Sequence, residues 1–352
     1  PCRTTRKISE VLHTRLKERA PELKVSIVFS PEFLKEGVAL QDCMNPDRII
    51  IGHDEHLREE HKDLITQLFK PFNLKSPKMM WMSYESAELT KYAANGMLAT
   101  KISFVNELSR LSEKFKANIS DVRQGLGSDS RIGHQFINAG CGFGGSCFPK
   151  DVSALCQMAE EQDTTSHIFD AILQVNKEQK QVLANKVKKH LGNKLSNANI
   201  VLWGLAFKPD TDDIRDAPSI TLCEELLKSQ ANLHLYDPMA TENFKGVFPP
   251  SERVKYFSCP YEALKDSDCL VICTEWQEFA FPDFEKITEL VRSKTIIDGR
   301  NMYFAFDLAQ YHLNYESIGH NDQKRFSKRE ELNEPRTRVQ TRHSLLEDEL
   351  RA

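Results

Sequence analysis

The stretch Asn199-Ile-Val-Leu-Trp-Gly204 decides the fold of the second half of the chain. A short apolar run that ends at a glycine is typical of a buried strand followed by a tight turn. Strands and helices alternate downstream of it, which indicates an α/β layer with parallel strands. We predict strands over 199–203, 232–236, 269–273 and 295–298, and helices over 217–229 and 261–266.

The turn after this first strand differs from that of a dinucleotide-binding fold. In such a fold the strand leads into the glycine fingerprint G-x-G-x-x-G, whose backbone holds the dinucleotide phosphates. Here Gly204-Leu-Ala-Phe-Lys208 stands in its place. The sequence therefore predicts a Rossmann-like topology without a dinucleotide phosphate loop.

The N-terminal part has the same α/β pattern in a shorter form. We predict helices over 6–19 and 54–69, strands over 25–29 and 48–52, and a mixture of loop and strand over 72–82. The first helix is expected to pack through its apolar residues, which are Ile8, Val11, Leu12 and Leu16.

A long helix is predicted between the two α/β parts, over 86–115. Its length is far above the usual mean of about 11–12 residues, so a domain bridge or a dimer interface is expected. A glycine-rich stretch follows from 125 to 145, and two more helices are predicted over 151–162 and 166–191.

Composition narrows the class of protein. The 352 residues include 47 Lys and Arg and 51 Asp and Glu, and this near balance argues against nucleic-acid binding by bulk phosphate neutralisation. The sequence contains no apolar run of about 18 residues, so no membrane span is predicted. The nine cysteines form no C-x-x-C pair, so we expect free thiols in a reducing cytoplasm and no metal site. The charged tail 321–352 is predicted to be disordered.

The strongest local chemical signal is Gly142-Phe-Gly-Gly-Ser-Cys-Phe-Pro-Lys-Asp151. Glycines leave room for a ligand, and Pro149 suits the first turn of a helix. A cysteine just before a helix, with a lysine nearby, is favoured as a thiolate nucleophile. The alternative for Cys147 is a buried cysteine in a tight loop.

Two pairs at helical i, i+4 spacing are further candidates. Lys91 and Asn95 share a face with small alanines and can donate hydrogen bonds to an oxyanion. Glu32 and Glu36 follow the predicted strand 25–29, where a carboxylate can act as a general base. For both pairs the alternative is a solvated helix face.

Six segments in this order resemble the UDP-glucose 6-dehydrogenases, within the UDP-glucose/GDP-mannose dehydrogenase superfamily. The segments are Pro31-Glu-Phe-Leu-Lys-Glu-Gly37, Asn45-Pro-Asp-Arg48, Ala87-Glu-Leu-Thr-Lys-Tyr-Ala-Ala-Asn95, Gly142–Asp151, Ala206-Phe-Lys-Pro-Asp-Thr-Asp-Asp213 and Asp298-Gly-Arg300. The resemblance implies part of an NAD-binding Rossmann domain over 1–83, a helical dimerisation domain over 84–195 and a UDP-binding α/β domain over 196–320.

The resemblance also implies a reaction, the twofold NAD-dependent oxidation of UDP-glucose to UDP-glucuronate. Cys147 would form a thiohemiacetal and then a thioester. Lys91 and Asn95 would stabilise oxyanions, Glu32 would handle the proton on hydrolysis, and Asp151 would position Lys91 or water.

Binding residues follow from the same resemblance. NAD contacts are implied for Glu36, Lys150 and Arg215, although Arg215 can instead pair with Asp213 or Asp216. Substrate contacts are implied for Phe33, Leu34, Arg131, Phe136, Asn138, Gly142, Phe143, Gly144, Phe207, Lys208 and Arg300.

The family's own glycine fingerprint, its ribose-binding acidic residue and a Ser-Thr before Pro1 are expected outside this chain. We therefore expect the chain alone not to reduce NAD. A homodimer or higher homo-oligomer in the cytoplasm is implied. The alternatives are a GDP-mannose or UDP-N-acetylmannosamine dehydrogenase, or a non-catalytic remnant.

Overall fold

The structure, a computed structural model, describes residues 2–72 and 78–320. The disorder predicted for 321–352 lies outside the described residues. The helices are α1 (Thr4–Arg19), α2 (Ala39–Met44), α3 (Glu59–Phe69), α4 (Tyr84–Phe115), α5 (Ile119–Gly127), α6 (Phe148–Glu160), α7 (His167–Gln179), α8 (Val182–Leu191), α9 (Pro218–Lys228), α10 (Thr241–Val247), α11 (Pro260–Ala263) and α12 (Phe284–Leu290). The strands are β1 (Ile49–His53), β2 (Met79–Ser83), β3 (Asn199–Trp203), β4 (Asn232–Tyr236), β5 (Val254–Tyr256), β6 (Cys269–Ile272), β7 (Thr295–Asp298) and β8 (Asn314–Ser317).

The chain divides into two compact units. The first comprises the residues up to Met97 together with Lys150–Asp170. The second comprises Leu98–Pro149 and the residues from Ala171 onward. Helices α4, α6 and α7 each contribute residues to both units. The division into four segments expected from the sequence remains a prediction.

A parallel pair, β1 and β2, forms the sheet described in the first unit. The prediction of a strand over 25–29 is wrong. Phe29 makes only an isolated antiparallel bridge to Gly52, through backbone hydrogen bonds of 2.9 and 2.7 Å. Pro31 follows two residues later and has no N–H group with which the pairing could continue.

Helix α1 forms where the sequence predicts it but packs through another face. Thr5 and Ser9 are buried, whereas Ile8 and Val11 are exposed. The Thr5 N–H and hydroxyl donate to Glu88 at 2.8 and 2.7 Å, and the Ser9 hydroxyl donates to Asp54 at 3.0 Å. Buried carboxylates need hydrogen-bond donors, and these hydroxyls supply them.

Helix α6 begins at Phe148 rather than at 151, and α11 ends at Ala263 rather than at 266. The largest differences from the predicted helix boundaries lie in two other places. Helix α3 begins at Glu59 rather than at 54, because the Asp54 carboxylate accepts the His56 N–H at 3.0 Å and holds a turn there. The helix predicted over 166–191 is two helices, α7 and α8, with a break at Lys180 and Gln181. The long helix is confirmed as α4. The elements that the sequence did not predict are α2, α5, α10, α12, β5 and β8.

The second unit is built on a parallel six-stranded sheet in the order β5-β4-β3-β6-β7-β8. The four predicted strands are confirmed as β3, β4, β6 and β7, and with them the α/β class. Trp203 is fully buried and stacks on Phe279 with ring centroids 5.1 Å apart. Because the strands are parallel, the segments after β3, β6 and β7 leave from one edge of the sheet.

Candidate functional site

The glycine-rich loop 138–145 packs against the segment that follows β3. The Gly145 N–H donates to the Arg215 carbonyl at 2.7 Å. Gly145 has φ of 83°, and a Cβ atom there would lie 2.7 Å from the Phe207 ring. Only glycine fits this close approach. The structure thus brings together the predicted substrate loop and Phe207.

Arg300 lies at the same sheet edge, two residues after β7. Its Nε donates to the Cys273 carbonyl at 2.7 Å, and its Nη2 donates to the Phe207 carbonyl at 3.3 Å. Glu275 Oε2 lies 3.0 Å from Nε as an ion pair outside hydrogen-bond geometry. A Cβ atom at Gly140 would lie 3.2 Å from Arg300 Nη1. The guanidinium is therefore fixed beside the loop.

Asp298 fixes the turn that carries Arg300. Its carboxylate accepts the Arg300 N–H at 2.8 Å, the Tyr303 N–H at 3.0 Å and the Tyr315 hydroxyl at 2.9 Å. Burial raises the pKa of Asp298, against the opposing effect of these donors. The sequence marked Asp298-Gly-Arg300 as a motif, but only the structure gives the carboxylate this role.

Asp237 follows β4, where a dinucleotide-binding fold has its ribose-binding carboxylate. Here the carboxylate is buried and accepts five hydrogen bonds from the protein. Oδ2 accepts from Leu205 N, Ala206 N and Trp276 Nε1, and Oδ1 accepts from Met239 N and Ala240 N. These donors occupy the carboxylate, which is consistent with the predicted absence of a dinucleotide loop in this unit.

Cys147 is a free, exposed thiol immediately before α6. The Ser146 hydroxyl lies 3.6 Å from its Sγ. The next residue, Phe148, packs edge-on against Phe143 and Phe136 at centroid distances of 5.8 and 6.3 Å. The thiol is accessible to a reagent, unlike the buried loop cysteine that was the alternative.

The first unit brings together Lys91, Asn95, Glu32 and Asp151. Lys91 Nζ donates to the Glu32 carboxylate at 3.0 Å and to its carbonyl at 2.6 Å. Asn95 Nδ2 donates to Asp151 Oδ2 at 2.6 Å, and Lys150 pairs with Asp151 Oδ1. Asp151 was expected to position Lys91 or water; in the structure its direct protein partners are Asn95 and Lys150.

The surroundings of the Glu32 carboxyl group change its pKa. Burial acts to raise the pKa of this carboxyl, but hydrogen bonds from the Leu34 N–H and from Lys91 outweigh it and hold the pKa below its ordinary value. Glu32 is therefore ionised at neutral pH and can accept a proton.

Two cationic side chains lie close to the Phe33 ring. The Arg48 guanidinium lies 3.8 Å from the ring centroid, and Lys91 Nζ lies 5.3 Å from it. Such contacts favour a fixed ring. The sequence placed Arg48 in a motif but gave it no role, because nothing in its spacing shows that it reaches Phe33.

Other predicted residues have different surroundings. Arg131 is exposed and pairs with Asp129 at 2.6 Å. Arg215 makes a bidentate pair with Asp213 at 2.7 to 3.0 Å, as the alternative to an NAD contact proposed. Glu36 and Asn138 are exposed. Their contacts with NAD or substrate stay predictions.

Within residues 2–72 and 78–320 no group of three His, Cys, Asp or Glu side chains is arranged to hold a metal ion. No described helix is both long and apolar enough to cross a membrane.

Three family models match most of the chain. They describe the NAD binding domain of the UDP-glucose/GDP-mannose dehydrogenase family over residues 1–73, the central domain over 85–178 and the UDP binding domain over 201–305.

Curated relatives and a solved structure support the same family. A UDP-glucose 6-dehydrogenase of Pseudomonas aeruginosa is 41% identical over 322 residues, which are 91% of this chain and 70% of the relative. One of Rhizobium meliloti is 38% identical over 307 residues, 87% of this chain and 69% of the relative. The structure of a UDP-glucose dehydrogenase from Pyrobaculum islandicum superposes with a TM-score of 0.76 at 33% identity, over 88% of this chain and 67% of that one.

Proposed function

Since the chain belongs to the UDP-glucose/GDP-mannose dehydrogenase family, we propose that it acts in the NAD-dependent, twofold oxidation of UDP-glucose to UDP-glucuronate. The observation that carries the proposal is the exposed thiol of Cys147 at the start of α6. Both relatives named above are UDP-glucose 6-dehydrogenases, which supports this substrate over other nucleotide sugars.

Cys147 supplies the covalent step. The C6 alcohol first loses a proton and gives a hydride to NAD, which leaves an aldehyde. The thiolate sulfur of Cys147 then adds to the aldehyde carbon, and the carbonyl electron pair moves to oxygen, which takes a proton. Loss of a hydride and that proton from the resulting thiohemiacetal gives a thioester. Water then gives a proton to Glu32 as it attacks the thioester carbon, and the C–S bond breaks. The carboxylic acid formed loses its own proton to solvent, and the thiolate is regenerated. A tether of this kind lets one site oxidise the same carbon twice.

The cluster in the first unit provides charge and a base. We assign Lys91 and Asn95 as donors to the oxyanions, because a cationic and a neutral donor lie one helical turn apart on α4. Glu32 accepts a proton during hydrolysis, since its lowered pKa keeps it ionised at neutral pH. Asp151 holds the Asn95 amide in place through the 2.6 Å hydrogen bond.

NAD takes up the hydrides as the second substrate. In the first unit neither β1 nor β2 leads into a glycine-rich turn among the described residues, so we assign no residue to the dinucleotide phosphates. Glu36, Lys150 and Arg215 stay proposed NAD contacts on family resemblance.

The surface of α4 supports a homodimer. Met97, Phe104 and Leu111 are exposed at seven-residue spacing and form an apolar stripe along this helix. A second copy of the chain is the occupant that the resemblance implies for such a stripe. A cytoplasmic location fits nine free cysteines, because reducing conditions keep thiols unpaired.

Calorimetric titration of the 352-residue chain with UDP-glucose tests the substrate. We expect saturable binding, with weaker binding of GDP-mannose and UDP-N-acetylmannosamine. Preference for either of these would replace the substrate, and binding of none would favour a non-catalytic remnant. Turnover is measured in a hybrid that carries, ahead of Pro1, the glycine-fingerprint segment of the Pseudomonas aeruginosa relative. Two NADH per UDP-glucuronate are expected.

A further inference from the structure

The backbone of the loop Gly140–Gly145 is held by three amide side chains. Asn176 of α7 accepts the Phe143 N–H at 2.8 Å and donates to the Phe143 carbonyl at 3.0 Å. Gln179 of α7 donates to the Gly140 carbonyl at 2.7 Å. Asn106 of α4 accepts the Gly140 N–H at 2.9 Å. We call these three residues the amide clamp.

The amide clamp lies in the protein interior. The exposed fractions of Asn106, Asn176 and Gln179 are 1%, 5% and 0%. Asn106 Nδ2 and Gln179 Oε1 have no hydrogen-bond partner among the described residues. A buried polar atom without a partner lowers stability. Apolar side chains at these positions would lower it further, because the buried backbone groups of Gly140 and Phe143 would then lose their partners. The three amides therefore hold this backbone although two of their own atoms stay unpaired.

The amide clamp is connected to Cys147 through aromatic packing. The Phe143 ring meets the Phe148 ring edge-on at 5.8 Å and 89°. Phe148 follows Cys147 directly and begins α6. By fixing both polar backbone atoms of Phe143, Asn176 also fixes the residue against which the start of α6 packs.

Lys180, which directly follows α7, pairs with a further segment that contacts the loop. Its buried ammonium pairs with Asp216 at 2.6 Å. A Cβ atom at Gly144 would lie 2.5 Å from the Asp216 carbonyl oxygen, so the loop packs directly on this segment. The loop is therefore fixed from α4, from the end of α7 and from residue 216.

We propose that Asn176, Gln179 and Asn106 are positioning residues that preset the loop 138–145 for UDP-glucose. The inference rests on the proposed function, which makes this loop part of the substrate site. Glycine-rich backbone has much conformational entropy to lose when it is ordered. A loop that is ordered before the ligand arrives avoids this loss during binding.

Asn176→Leu tests the inference, because leucine keeps the shape of the side chain and removes both hydrogen bonds to Phe143. We expect the Kd for UDP-glucose to rise at least tenfold, measured by calorimetry well below the melting temperature. The matched control is Thr288→Val in α12. It also removes a hydroxyl that donates to backbone carbonyls, at 2.8 and 2.9 Å, without touching the loop. Its Kd should stay within twofold of wild type.

Hydrogen exchange of the peptides that cover 138–147 gives a readout without ligand. We expect local acceleration of exchange in Asn176→Leu, and none in these peptides of Thr288→Val. A general loss of protection throughout the second unit would instead indicate a merely structural role and overturn the inference. Should Asn176→Leu fail to fold, Gln179→Leu carries the same two expectations.

The outcomes separate the two proposals. If wild type binds UDP-glucose and the variants bind it equally well, the amide clamp is not a positioning device, while the proposed function stands. If wild type does not bind UDP-glucose, the proposed function fails. Exchange then decides only whether the amide clamp orders the loop, and unchanged exchange of 138–147 in both clamp variants overturns that part as well.

Discussion

Replacement of Asp237 by alanine is expected to destabilise the second unit severely. The carboxylate accepts four backbone N–H groups and the Trp276 indole N–H at 2.6 to 3.0 Å. A hydrogen bond to a charged group contributes about 1.5–3 kcal/mol, but contributions that share one acceptor do not add. We expect a loss of about 4–5 kcal/mol, at the upper end of single substitutions.

Urea unfolding at pH 7, followed by circular dichroism and tryptophan fluorescence, measures this loss. Asp283→Ala is the matched control, because Asp283 accepts a single N–H, from Lys286 at 3.0 Å, at the start of α12. Loss of such a cap costs about 1 kcal/mol. A midpoint for Asp237→Ala no lower than that of Asp283→Ala would refute the reasoning. Asp237 would then be open to a ligand, as in a dinucleotide-binding fold.

Three further predictions concern the site and the pH dependence of stability. In the hybrid, Cys147→Ser is expected to reduce NADH formation to a few per cent or less while the Kd for UDP-glucose stays within a few-fold; turnover near wild type would reject the covalent role. Lys91→Met should lower kcat by roughly 10²–10³ with little change in KM, as expected for a lost oxyanion donor, and an unchanged kcat would remove Lys91 from the mechanism. Burial lowers the pKa of His320 from 6.5 to about 4, so the unfolded chain binds this proton more readily and stability is lost as pH falls from about 6.5 towards 4. His320→Gln should remove roughly 2–3 kcal/mol of the difference between urea unfolding at pH 7 and at pH 4.5, and an unchanged difference would contradict this.

Much of the fold could be predicted from local patterns. The strands β3, β4 and β7 have the predicted bounds, because short runs rich in apolar residues are typical of strands buried on both faces of a parallel sheet. The start of α6 could be predicted from Pro149, and the pairing of Lys91 with Asn95 on one face of α4 follows from helical spacing.

Packing partners could not be predicted in the same way. The apolar residues of α1 face solvent because Thr5 and Ser9 satisfy buried carboxylates on distant segments, and amphipathicity carries no information about such partners. The segment 25–29 has strand propensity but forms a single bridge, since a strand also requires a neighbour along its whole length.

The sequence by itself determined the α/β class, the long helix and the set of chemically competent side chains. It did so because backbone propensity, hydrophobic periodicity and residue chemistry are local properties. Only the tertiary structure decided which of these groups meet. Lys91 contacts Glu32 across 59 positions of sequence, Asn95 contacts Asp151 across 56, and Asn176 holds Phe143 across 33. Contacts at such separations depend on how elements pack, and packing is decided by the chain as a whole.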